Sequence, residues 1–451
     1  MKILLVTSSA RGHAIAEALA RSPQKPEIIS ISPNRNPGLR ALAKDHFQKN
    51  IMDFPAILEI AKNEDIDFAV IGPDDPIGAG LADALEGIGI KSVAPKKRLA
   101  QIETSKAFTR HLLQKHGIDA SPKFQTFEVP PGTHIDKRSL RRELTSYIEE
   151  MLESNYVVKY DALKGGKGVR VSGEHLDTVE DGVDYALECI EECGRVVIEE
   201  KLIGIEFSLL SFVSGTQVVD MPAVQDHKRA YEGDTGPNTG GMGTYSDTNH
   251  SLPFLEKSDL ARAKELNRLT AAALQKETGE PYKGILYGGF IAVKNGIRLI
   301  EYNARFGDPE ALNILPLLSS DFVNMCKGII DGELTESLVT FEKKATVCKY
   351  ITPHGYPENK DQKGKEVKFP EMPENARLYF GDITQEHDGR LTLGGSRSAG
   401  IVGIGNTIVE AEKIAEDLCK QVEGPVRFRS DIGTKDLIEQ RIKAMKSLRN
   451  S

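Results

Sequence analysis

The sequence predicts an α/β protein extended by α+β units: an N-terminal parallel βαβ domain, a mixed centre, and a small β-rich α+β domain at the C-terminal end. Three observations carry that expectation. Up to about Pro95, short apolar runs alternate with helical patterns, the mark of βαβ units and a parallel sheet. Near the middle, Ile291 to Val293 and Ile297 to Tyr302 flank Asn295-Gly296, the strongest short-range signal for an antiparallel hairpin. After about Glu333, short β runs at Ala345 to Ile351, Arg377 to Phe380 and Ser398 to Ile404 precede a helix near Thr407 to Val422.

The first strands fall at Ile3 to Val6, Ile28 to Ile31 and Phe68 to Ile71, with helices around Ala14 to Ala20 and Pro55 to Lys62. The loop Thr7 to His13 lies between the first strand and helix, where nucleotide-binding folds place phosphates on helix-end amides. It lacks the glycine triplet of a dinucleotide fingerprint. A helix near Thr104 to His116 is followed by the polar stretch Glu128 to Arg138, then by an amphipathic helix near Leu140 to Leu152. From Tyr156 to Val219, short strands flank one further helix in an α+β unit. No internal repeat or long low-complexity tract is present.

At 451 residues the chain exceeds one ordinary core, and length suggests roughly two to four domains. Its 39% hydrophobic and 27% charged residues are those of a globular protein, and no segment approaches the roughly 18 apolar residues of a membrane span. The apolar run after Met1-Lys2 ends at Thr7, too soon for a signal peptide, so a cytoplasmic protein without a membrane partner is expected. Net charge of −8 argues against nucleic acid, whose partners carry a basic stripe, while leaving room for a small anionic substrate in a basic pocket. Five scattered cysteines read as reduced packing residues; Cys189 and Cys193 lie four apart on an expected helix but lack a second pair for a metal.

Four segments carry chemistry. Glu301 and Asn303, alternate residues of a strand, share a face, and a carboxylate beside an amide oxygen suits Mg²⁺, which takes its other ligands from water and nucleotide phosphates. Gly165-Gly166-Lys167-Gly168 follows a strand and precedes another, so it is a hairpin loop and not a Walker motif; its amides, with Lys159 and Lys167, suit a phosphate. Glu199, Glu200 and Leu202, then Glu206, sit at a strand end that would serve an adenine edge and ribose hydroxyls, or equally be plain exposed acids. Gln225 to Arg229 and Asp234 to Tyr245 read as a long structureless loop inside a folded domain, built as a glycine cradle and therefore functional.

The segments Lys159 to Val169, Gln225 to Arg229, Asp234 to Tyr245, Gly284 to Gly289 and Glu301 to Glu310 resemble the phosphoribosylamine–glycine ligase family, the glycinamide ribonucleotide synthetases of the ATP-grasp superfamily. The resemblance runs from the first βαβ unit, through Lys106 to Thr109, to Ser430 to Gly433. It implies an N-terminal α/β substrate-binding domain (1–103), a two-lobed ATP-grasp domain (104–333) with a lid at about 120–195, and a C-terminal α+β domain (334–451). The unit from Tyr156 to Val219 is expected to close as the lid. ATP phosphates would meet Lys106, Lys159, Gly166, Lys167 and Gly168; adenine and ribose would meet Glu199, Glu200, Leu202 and Glu206; Glu301 and Asn303 would hold Mg²⁺ or Mn²⁺. Arg305, Lys228 and Asp226 are the implied catalytic groups. Ser9, Arg11, His13, Asp74, Asn238, Thr239, Gly240, Asp308 and Pro309 are the implied contacts to glycine and 5-phosphoribosylamine. The implied reaction joins these two with release of ADP and phosphate through glycyl phosphate, in de novo purine biosynthesis, by a monomer.

The first loop departs from the family pattern: Gly-x-Gly-Gly-Arg-Glu-His becomes Thr7-Ser8-Ser9-Ala10-Arg11-Gly12-His13. Tyr160, Ala162 and Lys164 likewise replace small or glycine residues. An ATP-grasp ligase with another amine acceptor, or a catalytically silent ATP-binding regulatory protein, are the alternatives.

Overall fold

The computed structural model describes residues 1–129, 136–164 and 168–451. Strands β1 (Lys2–Val6), β2 (Glu27–Ser32), β3 (Asp45–Gln48), β4 (Phe68–Ile71) and β5 (Lys91–Val93) form a parallel sheet in the order β3-β2-β1-β4-β5. Ile3 to Val6 are fully buried because helices cover both faces, which is why these strands are continuous apolar runs and not alternating ones. Strand order reverses at β1, so the loop after β1 opens at the switch point where such sheets bind ligands.

Strands β6 (Phe124–Glu128), β7 (Tyr156–Tyr160), β8 (Val169–Val171) and β9 (Arg195–Glu200) form an antiparallel sheet ordered β6-β9-β7-β8. Helix Val179–Cys193, started by a Thr178/Asp181 capping box, packs on it around a core of its own. The expected hairpin is present, with Lys159 paired to Val169. Gly165, Gly166 and Lys167 lie outside the described residues.

Beyond Glu200 the chain enters another lobe. Strands β10 (Ile205–Ser214) and β11 (Gln217–Asp220) are followed by β12 (Gln225–Asp226), β13 (Arg229–Tyr231), β14 (Thr235–Asn238) and β15 (Gly243–Ser246), then by β16 (Lys283–Val293) and β17 (Gly296–Asn303). The lobe's sheet is β11-β10-β16-β17, covered by helix Lys257–Thr278. The expected Tyr156–Val219 unit is therefore corrected: the small sheet ends at Glu200, and Ile205 to Asp220 belongs to the other sheet. β10 pairs along its whole length with β16, a partner distant in sequence that local composition does not reveal.

The segment 225–245 is also not structureless. β12 and β15 join β18 (Ala345–Pro353), then Ala399–Gly405 and β19 (Ala376–Phe380), in the C-terminal sheet, while β13 and β14 make a small hairpin. Gly243 is needed for that union, since a Cβ there would collide with the Cys348 carbonyl. Helix Ile408–Cys419 covers the sheet. A last helix, Lys435–Asn450, adds an element beyond those expected, with Leu437, Ile438 and Met445 buried.

Candidate active site

The β6–β9 sheet, the β10–β17 lobe, the N-terminal sheet's loops and the C-terminal segment border a cavity of about 750 Å³. β17 delivers Glu301 and Asn303 to it on one face, as their spacing requires. Their side chains approach to 3.5 Å (Asn303 Nδ2 to Glu301 Oε1), and the Arg305 guanidinium donates to Asn303 Oδ1 at 3.3 Å. Burial pushes the Glu301 carboxyl up, yet Lys228, Lys106, Lys159 and Arg305 together hold it below its ordinary range, so it stays anionic. Among the described residues no group of three or more His, Cys, Asp or Glu is placed to hold a metal ion. The protein offers an acid and an amide oxygen and leaves the remaining positions to water and phosphate, a donor set that fits Mg²⁺ or Mn²⁺ arriving with a nucleotide.

Lys159 reaches the cavity from β7 with its Nζ 2.6 Å from Glu199 Oε2 and 3.1 Å from the Ile300 carbonyl. Arg110, on helix Lys106–Lys115, grips the same carboxylate through Nε at 2.6 Å and Nη2 at 3.0 Å, and donates to Ile300 O at 2.7 Å. Glu199 is 3% exposed with both oxygens engaged, so the expected ribose contact is corrected: its side chain lines the cavity as the anchor of Lys159. Arg110 was not legible beforehand, because nothing in its helical segment distinguishes it from a solvated basic residue. Glu200 lines the cavity while accepting the Lys123 amide at 2.8 Å. Leu202, Lys106 and Gly168 also line it. Glu206 and Lys228 pair at 3.1 Å, and that neighbour above all raises the Lys228 ammonium, keeping it charged. Asp226 receives its neighbour His227's amide at 2.7 Å; burial, then Glu310, push its carboxyl well above the usual range.

The N-terminal domain supplies the opposite wall. Ser9 begins its helix in the left-handed region (φ 67°), and Arg11 donates through Nη1 to Phe306 O at 2.7 Å while its amide donates to Asp308 Oδ2 at 3.1 Å. Glu103, unremarked in the sequence, pairs with Arg305 at 3.0 Å and accepts the Ala304 amide at 2.7 Å. Asp74 lines the same wall; burial raises its carboxyl, but Arg305 and Arg11 bring it below its ordinary value. Asp308 accepts from Tyr350 Oη at 2.6 Å and lies 3.4 Å from Arg397, whose Nη1 also donates to the carbonyls of Gly240, Gly241 and Asp308 at 2.9 Å each. Arg397 thus carries the C-terminal domain into the cavity wall beside Asn238, Thr239 and Gly240.

Two expected contacts are corrected. His13 is not among the cavity-lining residues: its Nδ1 accepts the Phe380 amide at 3.0 Å, its ring stacks on Phe380, and burial lowers it to about 4, so it is a neutral strut between domains. Pro309 stands behind Asp308, against Gly241, and does not line the cavity.

The altered first loop is self-consistent. Thr7 is fully buried, and a Cβ on Gly12 would collide with the Thr7 side chain, so the two residues share one space. Gly12→Ala is expected to destabilise the fold by about 1–3 kcal/mol, and Thr7→Gly in the same chain to recover most of it. Urea midpoints measure both; an unshifted midpoint for the single variant would show that the loop relaxes freely.

Two antiparallel sheets bordering one cavity of lysines, with an acid–amide pair on its wall, define an ATP-grasp protein. Residues 104–311 match the family model described as Phosphoribosylglycinamide synthetase, ATP-grasp (A) domain, residues 1–103 its N domain, and residues 346–435 its C domain. The chain belongs to the phosphoribosylglycinamide synthetase family. It is 46% identical to the phosphoribosylamine–glycine ligase of Methanococcus vannielii over 99% of this chain and 100% of that one. The crystal structure of the Thermotoga maritima phosphoribosylamine–glycine ligase superposes with a TM-score of 0.78 at 28% identity, covering 96% of this chain and all of the other. A Campylobacter jejuni biotin carboxylase shares the fold alone, with a TM-score of 0.71 at 13% identity over 99% of this chain and 95% of its own.

Proposed function

We propose that this protein joins glycine to 5-phosphoribosylamine at the expense of ATP, forming glycinamide ribonucleotide, ADP and phosphate for de novo purine synthesis. The observation that carries the reading is a single cavity in which Lys106, Lys159, Lys228 and Arg305 surround the Glu301/Asn303 pair while Arg11 reaches in from the N-terminal wall. The family's own relatives, named for this ligation, support the substrates.

Glycine's carboxylate attacks the γ-phosphorus of ATP, giving glycyl phosphate and ADP. The sugar amine then attacks the acyl carbon, phosphate leaves, and the nitrogen gives up a proton. No protein nucleophile is required; positioning and charge neutralisation suffice. A divalent ion held by Glu301 and Asn303 would supply further neutralisation of phosphate charge. Lys106, Lys159 and Lys228 face the phosphates, with Gly168 beside them on the cavity wall. Arg305 stabilises the acyl phosphate and its oxyanion, since a planar guanidinium can hold two oxygens. Asp226 lines the cavity, and its carboxylate, when ionised, takes the amine's proton. Leu202, Glu200 and Glu206 border the nucleoside. Ser9, Arg11, Asp74 and Asp308, with Asn238 to Gly240, border the sugar phosphate and glycine.

A second amine is the competing reading, favoured by the Thr7/Gly12 loop. Mass spectrometry of reactions containing ATP, glycine and freshly made phosphoribosylamine should detect the glycine–phosphoribosylamine amide with stoichiometric ADP. ADP formed only with a different amine would replace this substrate, and nucleotide binding without ADP on any amine would leave a regulatory protein.

Glu301→Gln is expected to weaken Mg²⁺-dependent ATP turnover by more than about tenfold, because the amide keeps one oxygen ligand but loses the negative charge and the second oxygen that hold the ion. A variant with wild-type turnover across a Mg²⁺ titration would remove Glu301 from the metal set.

A further inference from the structure

We propose that Arg441, on the C-terminal helix Lys435–Asn450, is a positioning residue: it fixes the loop that presents Asn238, Thr239 and Gly240 to the cavity and so sets affinity for the amine substrate. The claim about substrate rests on the ligase reading above.

Residues 235–238 are exposed throughout, so this stretch has little apolar packing to define its shape. Charge does the work instead. The turn before it places Gly233 and Asp234 in the left-handed region, at φ 68° and 55°. Asp234 Oδ1 accepts from Arg429 Nη1 at 2.9 Å, and its Oδ2 pairs with Arg441. Burial raises the Asp234 carboxyl, but the arginines, Arg441 foremost, hold it low, so the pair stays ionised. Arg429 is fully buried and fastened to Asp431 and to the Arg229 carbonyl, which makes it part of the C-terminal domain's framework.

Arg441 is different in two respects. It lines the cavity itself, and it comes from a helix anchored elsewhere: Arg449, two turns on, bonds Asp259 at 2.7 Å and Glu256 at 2.9 Å, at the start of the helix that covers the β10–β17 lobe. Through Arg441 the loop's geometry is therefore referred to the lobe carrying Glu301 and Asn303, and not only to the C-terminal sheet. Arg429, the Gly233 amide bonded to Asp431 Oδ2 at 3.0 Å and Glu232 accepting the Ser430 amide at 3.2 Å all tie the turn to the C-terminal segment; Arg441 adds a grip on the same carboxylate from the last helix and narrows the orientation further.

The test compares Arg441→Gln, Arg441→Lys, Asp234→Asn and Arg449→Gln with the wild-type full chain, using two readouts: hydrogen–deuterium exchange over residues 232–240, and KM for phosphoribosylamine against kcat. Arg441→Gln is expected to speed exchange in that segment and raise KM about tenfold with kcat within about twofold. Arg441→Lys should restore part of both, and Arg449→Gln, which loosens only the far anchor of the same helix, should give a clearly smaller effect on each. Asp234→Asn, whose side chain sits in a half-exposed turn, should reproduce Arg441→Gln, and it decides the matter if that variant does not fold. Unchanged exchange in a folded Arg441→Gln or Asp234→Asn protein overturns the proposal, as does an Arg449→Gln effect of equal size. A wild-type protein that makes no amide product would defeat the ligase reading, while the exchange measurement would still judge the loop.

Discussion

Arg305→Ala should lower glycine-dependent ADP release by about a hundredfold to a thousandfold while ATP still binds. Arg305 is held by Glu103 at 3.0 Å and Asn303 at 3.3 Å, and its Nε is buried without a partner. Burial alone would discourage its charge; Glu103 and then Asp74 reverse that and fix it as a cation. Such a preorganised charge in a water-poor wall costs no reorganisation when an oxyanion develops, so its loss appears in kcat and not in nucleotide affinity. Stability should suffer less than activity. The Glu103 carboxyl is already raised by burial, and without its partner it can protonate instead of remaining an unpaired charge. Arg305→Lys should recover little, because a point charge cannot span two oxygens. The measurements are steady-state ADP release with glycine and calorimetric titration of ATP. Wild-type turnover in the alanine variant would remove Arg305 from the chemistry.

Glu199→Gln should be the most destabilising single change in the site, by about 3–5 kcal/mol, because it leaves Arg110 and Lys159 facing each other with no anion between them. ATP affinity should fall with it, since Lys159 loses the 2.6 Å contact that aims it. Burial works against this carboxylate's charge, but Arg110 and then Lys159 overcome it and lower it to about 2, from 4.5 in the unfolded chain. A group depressed in this way contributes its full stabilisation above pH 4.5 and loses it as the pH falls towards 2. Denaturant midpoints between pH 7 and 3 should therefore drop more steeply in the wild type than in Glu199→Gln over the acid end of that range. Parallel curves, or an equally stable variant with unchanged ATP binding, would return Glu199 to the role of a nucleoside contact.

The N-terminal sheet and the β16–β17 hairpin were legible because their signals are local. Apolar runs of strand length mark a doubly covered sheet, and a turn residue pair marks the hairpin. Glu301 and Asn303 were legible for the same reason, since a strand's period of two decides their shared face. Gly243 to Ser246 misled, because a glycine-rich, weakly apolar stretch becomes a strand only through β18, about a hundred residues later. Glu199 misled in another way. Two acids at a strand end look alike in sequence, yet Glu200 remains at the cavity edge while Glu199 turns into a buried cage built by a different helix. His13 matched a motif and still left the site, its ring serving the contact with Phe380.

From sequence alone came the parallel sheet, the β16–β17 hairpin, the acid–amide pair and the family resemblance, because period, turn chemistry and motif spacing are written along the chain. Tertiary structure alone decided which charges meet: Arg110 with Glu199, Glu103 with Arg305, Arg397 with Asp308, Arg441 with Asp234. An isolated acid or base in a sequence is indistinguishable from a solvated one. Only burial beside an opposite charge, in a low-dielectric wall assembled from distant segments, makes it an anchor or a catalyst.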